Sequence, residues 1–405
     1  MAWITNRPIG LTLSDEESFQ GYTLFSSVRG HHATIIDMKG QIVHQWHHDE
    51  GIQHVKLLDN GNLLIQTLPP KEADGREKIG GSAGAMIEMD PEGNTVWEHR
   101  DITQHHDYVR LENGNTLYLA WEAIPKDICQ RIKGGHHHDD DPETMWGDVV
   151  REINLSGKII NEWFSWEHLD FEEEIICPLE SYKEWTHANS LEVLENGDWL
   201  ISLRLTSTVI IVDALTGKVK WRWGGSQTFS DHDPKKSGPA DLSHQHNAQM
   251  LSNGNIMVFD NGCHRKRGPG YSRIVEINPE TREFVWSYAN PTLLAFYSFM
   301  VSGCQRLPNG NTLITEGASG RLFEVTKKHK VVWEYISPWT IPSGFGPTPA
   351  VFRSYRITAD DPRLRNYNLS STKYSDLNTA ITNGEIQTES NYVHNIPGSD
   401  PGVKA

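Results

Sequence analysis

The chain lacks any uninterrupted apolar stretch of the roughly 20 residues that a membrane-spanning helix requires. Its hydrophobic content of 37% comes in short runs. A basic excess is missing too: 53 acidic residues outnumber 37 Lys and Arg, for a formal charge of −16. That balance argues against a general binder of nucleic acid or anionic membrane. Cysteine is scarce. Cys129, Cys177, Cys263 and Cys304 lie far apart without CxxC spacing, which indicates neither a zinc knuckle nor a disulfide framework. The opening "MAWITNRPIGLTLSDEESFQ" has no basic segment followed by an apolar block. It does not read as a secretory signal, and a cytoplasmic location is the expectation.

What the chain does have is repetition. One phrase recurs as "HVKLLDNGNLLIQTL", "HDYVRLENGNTLYLAWE", "NSLEVLENGDWLISLR", "HNAQMLSNGNIMVFDNG" and "GCQRLPNGNTLITEG". Each reads as two short strands joined at Asn-Gly, a dipeptide that accepts positive φ in a hairpin. A second phrase occurs as "IDMKGQIVHQW", "MDPEGNTVWEH", "INLSGKIINEW", "VDALTGKVKWRW", "INPETREFVWSY" and "VTKKHKVVWEY". These are strand–turn–strand units, usually with Trp near the end, and the 14 Trp of the chain suggest indoles used as wedges. Two hairpins per unit make a four-stranded antiparallel blade, so the fold class is all-β, a six-bladed β-propeller. The first phrase is one copy short. "GYTLFSS" and "AVFRSYRI" are the unassigned strands, and together they should complete the first blade from the two chain ends and remove an open sheet edge. The propeller would occupy 1–362, and 363–405 would be a polar C-terminal arm or tail, either solvated or forming a homodimer contact.

In a propeller the start of each first strand and the end of each second strand gather at one end of the blade. Strand starts supply His54, His106, His187 and His246, and strand ends supply Gln66, Glu122, Arg204, Asp260 and Glu316. Imidazoles, carboxylates and a guanidinium converging on one cleft are the ingredients of acid–base or metal chemistry. Simple polar filling of a wet channel mouth would also place histidine there, yet Ser, Asn or Thr would serve that purpose equally well. His106 and His246 share one offset from the Asn-Gly turn, whereas His54 is one residue nearer and His187 two further out. The four need not point at one place.

"EWTHANSLEVLENGDWLISLR", "HQHNAQMLSNGNIMVFDNG" and "GCQRLPNGNTLITEGASGRLFEV" resemble the arylsulfotransferase (ASST) propellers over residues 30 to 357. The resemblance implies a six-bladed propeller that moves a sulfuryl group from a phenolic sulfate to a phenol, with no nucleotide donor and with a transiently sulfurylated histidine. It implies active-site roles for His187 in "WTHAN" and His246 in "HQHN". Arg204 in "SLR" matches a strand-end arginine, and Arg265, with Arg267 competing, matches the active-site arginine. The nucleophilic histidine of the last blade falls on Arg321, which stays protonated and is not a nucleophile.

Two chemistries are consistent with these residues. In the first, no cofactor is needed: His187 and His246 act as general acid and base on a small aromatic or anionic substrate, held by Arg204, Arg265 and Arg321. Trp121, Trp146 and Trp185 could sandwich an aryl ring or simply pack the blades, and Glu122 lies beside them. In the second, His54, His106, His187 and His246 bind Zn, Mn or Fe in a lyase, hydrolase or oxygenase, with Glu122 and Asp260 behind them. A non-catalytic binding propeller is the third reading, since fold alone does not give function. "GGHHHDDD" (134–141) reads as a solvated loop, with a lid or second metal site as the alternative. "DFEEE" (170–174) reads as surface charge.

Overall fold

The computed structural model describes residues 8–137, 144–225, 242–265, 269–341 and 347–388. The strands form six antiparallel sheets with the strand order of propeller blades. Two compact units divide the chain: Thr103–Phe299 forms one, and the segments to Ile102 and from Met300 form the other. Three blades belong to each.

The split unit holds blades one, two and six. Blade one pairs Val351–Thr358 with Gly21–Ser27, then Gly30–Ile36 and Ile42–Ile52, so strands from opposite ends of the chain do complete it. Blade two runs His54–Leu57, Leu63–Gln66, Ala85–Met89 and Thr95–Arg100. Blade six runs Gly303–Arg306, Thr312–Glu316, Arg321–Val325 and Val331–Ile336. It gains a fifth strand, Gly10–Ser14, which the repeat pattern did not announce. The segment 362–388 packs on this unit: Asn378 makes two hydrogen bonds to the Ile42 backbone, and Leu364 and Ile381 are buried.

The continuous unit holds blades three, four and five. Blade three is Gln104–Arg110, Thr116–Ala123, Trp146–Ile153 and Ile159–Phe164. Blade four is Ala188–Val193, Trp199–Leu203, Thr208–Val212 and Val219–Gly224. Blade five is His246–Met250, Ile256–Asp260, Arg273–Asn278 and Glu283–Tyr288. Apolar side chains fill the spaces between neighbouring blades, for example Leu117, Val150 and Trp163 against Leu191, Ile201 and Ile210.

Two recurring contacts explain the repeated phrases. Trp46, Trp163, Trp221 and Trp333 end their blades, and each donates its indole N–H to a backbone carbonyl in the outer turn of the next blade at 2.9–3.1 Å. The wedge is therefore also a hydrogen-bonded hook, which satisfies the one polar atom of a buried indole. In the inner hairpins, Gly61, Gly114, Gly197, Gly254 and Gly310 all have φ of 80–86°. The Gly61 N–H donates to Leu58 C=O, so the turn centres on Asp59–Asn60 and glycine takes the left-handed bulge position. The Asn after that glycine is not idle either. Asn62, Asn115, Asn255 and Asn311 donate to Glu88, Glu152, Glu276 and Glu324 on the third strand, at 2.6–2.8 Å.

Candidate active site

The densest group of polar side chains lies in the continuous unit, where the first strands of blades three, four and five begin. Its backbone is shaped by Asp148 on the third strand of blade three. One Asp148 oxygen accepts from the Thr186 N–H and hydroxyl at 2.6 and 2.9 Å, and the other accepts from the Ala188 N–H at 3.0 Å. Those bonds clamp the chain on both sides of His187, which takes a φ of 60°. Complete burial is the main influence on Asp148 and pushes its carboxyl up to about 6 despite these donors.

Glu184 lies beside the same strand, paired with Trp146. Its Oε2 is 2.6 Å from His187 Nδ1, and both side chains are less than a tenth exposed. Burial alone would raise the Glu184 carboxyl, but the charge of His187 and this bond hold it below its ordinary value. The carboxylate accepts a hydrogen bond from Nδ1–H, which leaves Nε2 as the basic nitrogen. Arg204 follows the second strand of blade four, and its backbone N–H donates to His187 C=O at 3.1 Å.

His106 presents its ring edge-on to His187, with centroids 4.6 Å apart. Behind it, His105 shares a 2.9 Å Nδ1–Nδ1 contact with His106 and stacks at 4.1 Å on Trp121. His105 is fully buried, and that desolvation holds it well below the ordinary imidazole range, hence neutral. On blade five, His246 Nδ1 is 2.7 Å from Asn261 Oδ1. Asn261 Nδ2 donates to Ser298 C=O, so the amide oxygen faces the imidazole and accepts its Nδ1 proton. His246 thereby matches His187 in having Nδ1 engaged and Nε2 left for chemistry.

A second cluster joins Cys177, Glu180, Arg204, His244 and His264. Glu180 Oε1 lies 3.0 Å from Arg204 Nη1, 3.3 Å from His244 Nδ1 and 3.7 Å from His264 Nδ1. Cys177 Sγ is 3.6 Å from His264 Nδ1. Burial pushes the Cys177 thiol up to about 11. Burial, then the charges of Arg204 and nearby histidines including His246 and His187, hold His244 far below its ordinary value, which sets the two clusters within electrostatic reach of each other.

Of the residues singled out in the sequence, His106, His187, His246, Arg204 and Trp121 are in this unit and near one another. Trp121 is wholly buried and backs the histidines, and Trp146 and Trp185 are also buried. Glu122 is bound by Arg151 at 2.6 Å. Arg265 is held by Asp260, which also binds Arg273, and by the Tyr271 carbonyl. His54 and Arg321 belong to the other unit. There His54 bonds the Tyr355 hydroxyl at 2.9 Å, and Arg321 is engaged by Glu316 and Glu334 and stacks on Phe323. Among the described residues, Cys177, His244 and His264 form a group whose ligand atoms all lie within 4.8 Å, whereas His106, His187 and His246 do not form one. Arg267 and residues 138–141 lie outside the described residues. Within "DFEEE", Glu174 is buried against Arg222 rather than exposed.

Glu184, Asp148, His105, His244, His264, Cys177 and Glu180 were not identified in the sequence as site residues. Two had a signal: Glu184 precedes His187 by three residues in "EWTH", and His244 stands in "HQHN". Backbone conformation marks the same place. His106, His187, His244, Asn247 and His264 all have φ between 47° and 60°, five of the twelve positive-φ non-glycine residues described. Such conformations cost of order 1–3 kcal/mol each and persist where surrounding contacts fix them, commonly at functional sites.

Fold and site together define a six-bladed β-propeller with a buried, histidine-rich cluster supported by carboxylates. The family profile for arylsulfotransferase (ASST) matches residues 14–340, and the chain belongs to that family. Solved structures that resemble it include a Bacteroides caccae protein of unknown function, at 14% identity over 83% of this chain and 98% of that one, with TM-score 0.49. A streptogramin B lyase resembles it at 12% identity over 81% and 82% of the two chains, with TM-score 0.44. A virginiamycin B lyase from Staphylococcus aureus does so at 11% identity over 82% and 86%, with TM-score 0.43. No curated protein gives a match.

Proposed function

We propose that the protein is a transferase that moves a sulfuryl group between small aromatic hydroxyl compounds, with His187 as general base and His246 as general acid. The observation that carries this is the 2.6 Å Glu184–His187 bond between two buried side chains. A base oriented by a third group, beside a fixed cation, is the arrangement that activates a hydroxyl.

In the reaction, the acceptor hydroxyl gives its proton to His187 Nε2 as its oxygen bonds to sulfur. The aryl O–S bond of the donor breaks, and the leaving phenolate takes a proton from the His246 imidazolium. Arg204 holds the sulfuryl oxygens, and its charge supports their developing negative charge. Trp121 and His105 fix the His106 edge that borders His187. The family's last-blade nucleophile is replaced by Arg321, engaged by two carboxylates, which favours direct transfer over a sulfurylated histidine at that position.

The test is transfer from an aryl sulfate to a phenol by the purified protein, followed by release of the donor phenol. Turnover that falls on the order of 10²–10⁴-fold in His187→Ala supports the reading. Turnover indifferent to His187, or no transfer with any aryl sulfate donor, overturns it.

A further inference from the structure

We propose that Cys177, His244 and His264, with Glu180 beside them, form a binding site for a single divalent metal ion of the zinc class. The sulfuryl-transfer reading does not require this ion; the two meet only at Arg204, which shares Glu180, and the test below reads metal binding and not turnover.

The donor set is one thiol and two imidazoles, with the Glu180 carboxylate close to both imidazoles. Thiolate and imidazole together select zinc-like ions over magnesium or calcium. Metal–ligand bonds of about 2.0–2.3 Å in a tetrahedron put neighbouring ligand atoms roughly 3.3–3.6 Å apart. The S–N edge between Cys177 and His264 is 3.6 Å. The N–O edges from His244 Nδ1 and His264 Nδ1 to Glu180 Oε1 are 3.3 and 3.7 Å. These three edges are close to that spacing, and the ligand atoms of Cys177, His244 and His264 all lie within 4.8 Å of one another.

His244 supplies the independent observation. Its side chain is fully buried, yet neither ring nitrogen has a hydrogen-bond partner. Glu180 stands within ion-pair distance of Nδ1 but outside hydrogen-bond geometry. A buried imidazole with two unsatisfied nitrogens is costly unless something else occupies its lone pair. A metal ion does so. The backbone also holds the ligands apart from the repeat: His244 and His264 have φ of 56° and 52°, and the His244 N–H is tied to Ser207 Oγ at 3.0 Å. Arg204 shares Glu180 Oε1, so a bound cation would compete with the guanidinium for that oxygen.

The experiment is titration of tag-free, chelator-treated full-length protein with Co²⁺, followed by displacement with Zn²⁺. The expected result is one equivalent bound, with a thiolate-to-cobalt charge-transfer band and a rise in melting temperature on Zn²⁺ addition. Cys177→Ser should remove that band. His264→Ala should weaken binding at least ~10-fold, since even groups behind the ligands change affinity by 10–100-fold. Circular dichroism confirms that both variants are folded. Binding that neither substitution changes, or no saturable binding at all, overturns the proposal.

Discussion

The two units carry the same blade on the same turns and use it differently. In the split unit, charged groups at strand ends and beside them are neutralised by carboxylates: Arg321 by Glu316 and Glu334 of its own blade, and Arg356 of blade one by Glu324 of blade six. His54 has become part of the packing, bonded to Tyr355 and leaning on Phe352. In the continuous unit, His106 and His187 sit on left-handed backbone, Asp148 and Glu184 support His187, and Asn261 orients His246. The difference teaches that a histidine at a strand start is not in itself a functional group. What separates His187 from His54 is the acid that orients it and the clamp that strains it.

Breaking the comparison begins with the largest effect. His187→Ala should lower kcat/KM for aryl-sulfate transfer on the order of 10²–10⁴-fold, and should cost about 1–3 kcal/mol of stability because the buried Glu184 carboxylate loses its partner. His54→Ala should cost stability too, through lost packing, but change the rate by less than about tenfold. Steady-state kinetics and urea unfolding of the two variants decide this, and equal rate losses would erase the distinction between the units.

The next effect is a pH dependence. The folded Asp148 carboxyl titrates near 6, above its unfolded value, so the fold binds more protons in between. Stability from this group is therefore present at low pH and declines as pH rises from about 4 to 6, by up to about 3 kcal/mol. Urea midpoints across that window should fall in the native protein and fall less in Asp148→Asn. Parallel curves would refute the buried, proton-holding role.

Smaller effects sharpen the claim that the scaffold is shared. Asn62→Ala in one unit and Asn255→Ala in the other should each cost about 1.5–3 kcal/mol, as loss of a bond to a carboxylate does. Unequal losses in unfolding free energy would show that the hairpin hook differs between units. Gly61→Ala should cost on the order of 1–2 kcal/mol, because its φ of 86° and a carbonyl oxygen of Arg363 at 2.7 Å leave no room for a Cβ.

Much of the fold could be read in advance because it repeats. The Asn-Gly phrase locates five inner hairpins, the Trp phrase six outer ones, and the missing copy points to the pairing of Gly21–Ser27 with Val351–Thr358. The added strand Gly10–Ser14 could not be read, since it has no counterpart in the other blades. Site residues divide along the same line. His106, His187 and His246 stand at or near the first-strand starts of the repeat and Arg204 follows a second strand, so the repeat itself drew attention to them. Cys177 and Glu180 come from "ICPLE", a strand outside the repeat, and Asp148 acts across 38 residues on Thr186, where no local pattern connects them. His244 was hidden by adjacency: two residues before the repeat position held by His246, it looked like a neighbour of the site.

The central claim is that Glu184 acts only through His187, and a double-variant cycle on kcat/KM tests it most directly. Glu184→Gln alone should slow transfer, His187→Ala should slow it far more, and the double variant should be no slower than His187→Ala. Rate losses that multiply in the double variant would contradict the account, because the carboxylate would then be working on something other than that imidazole.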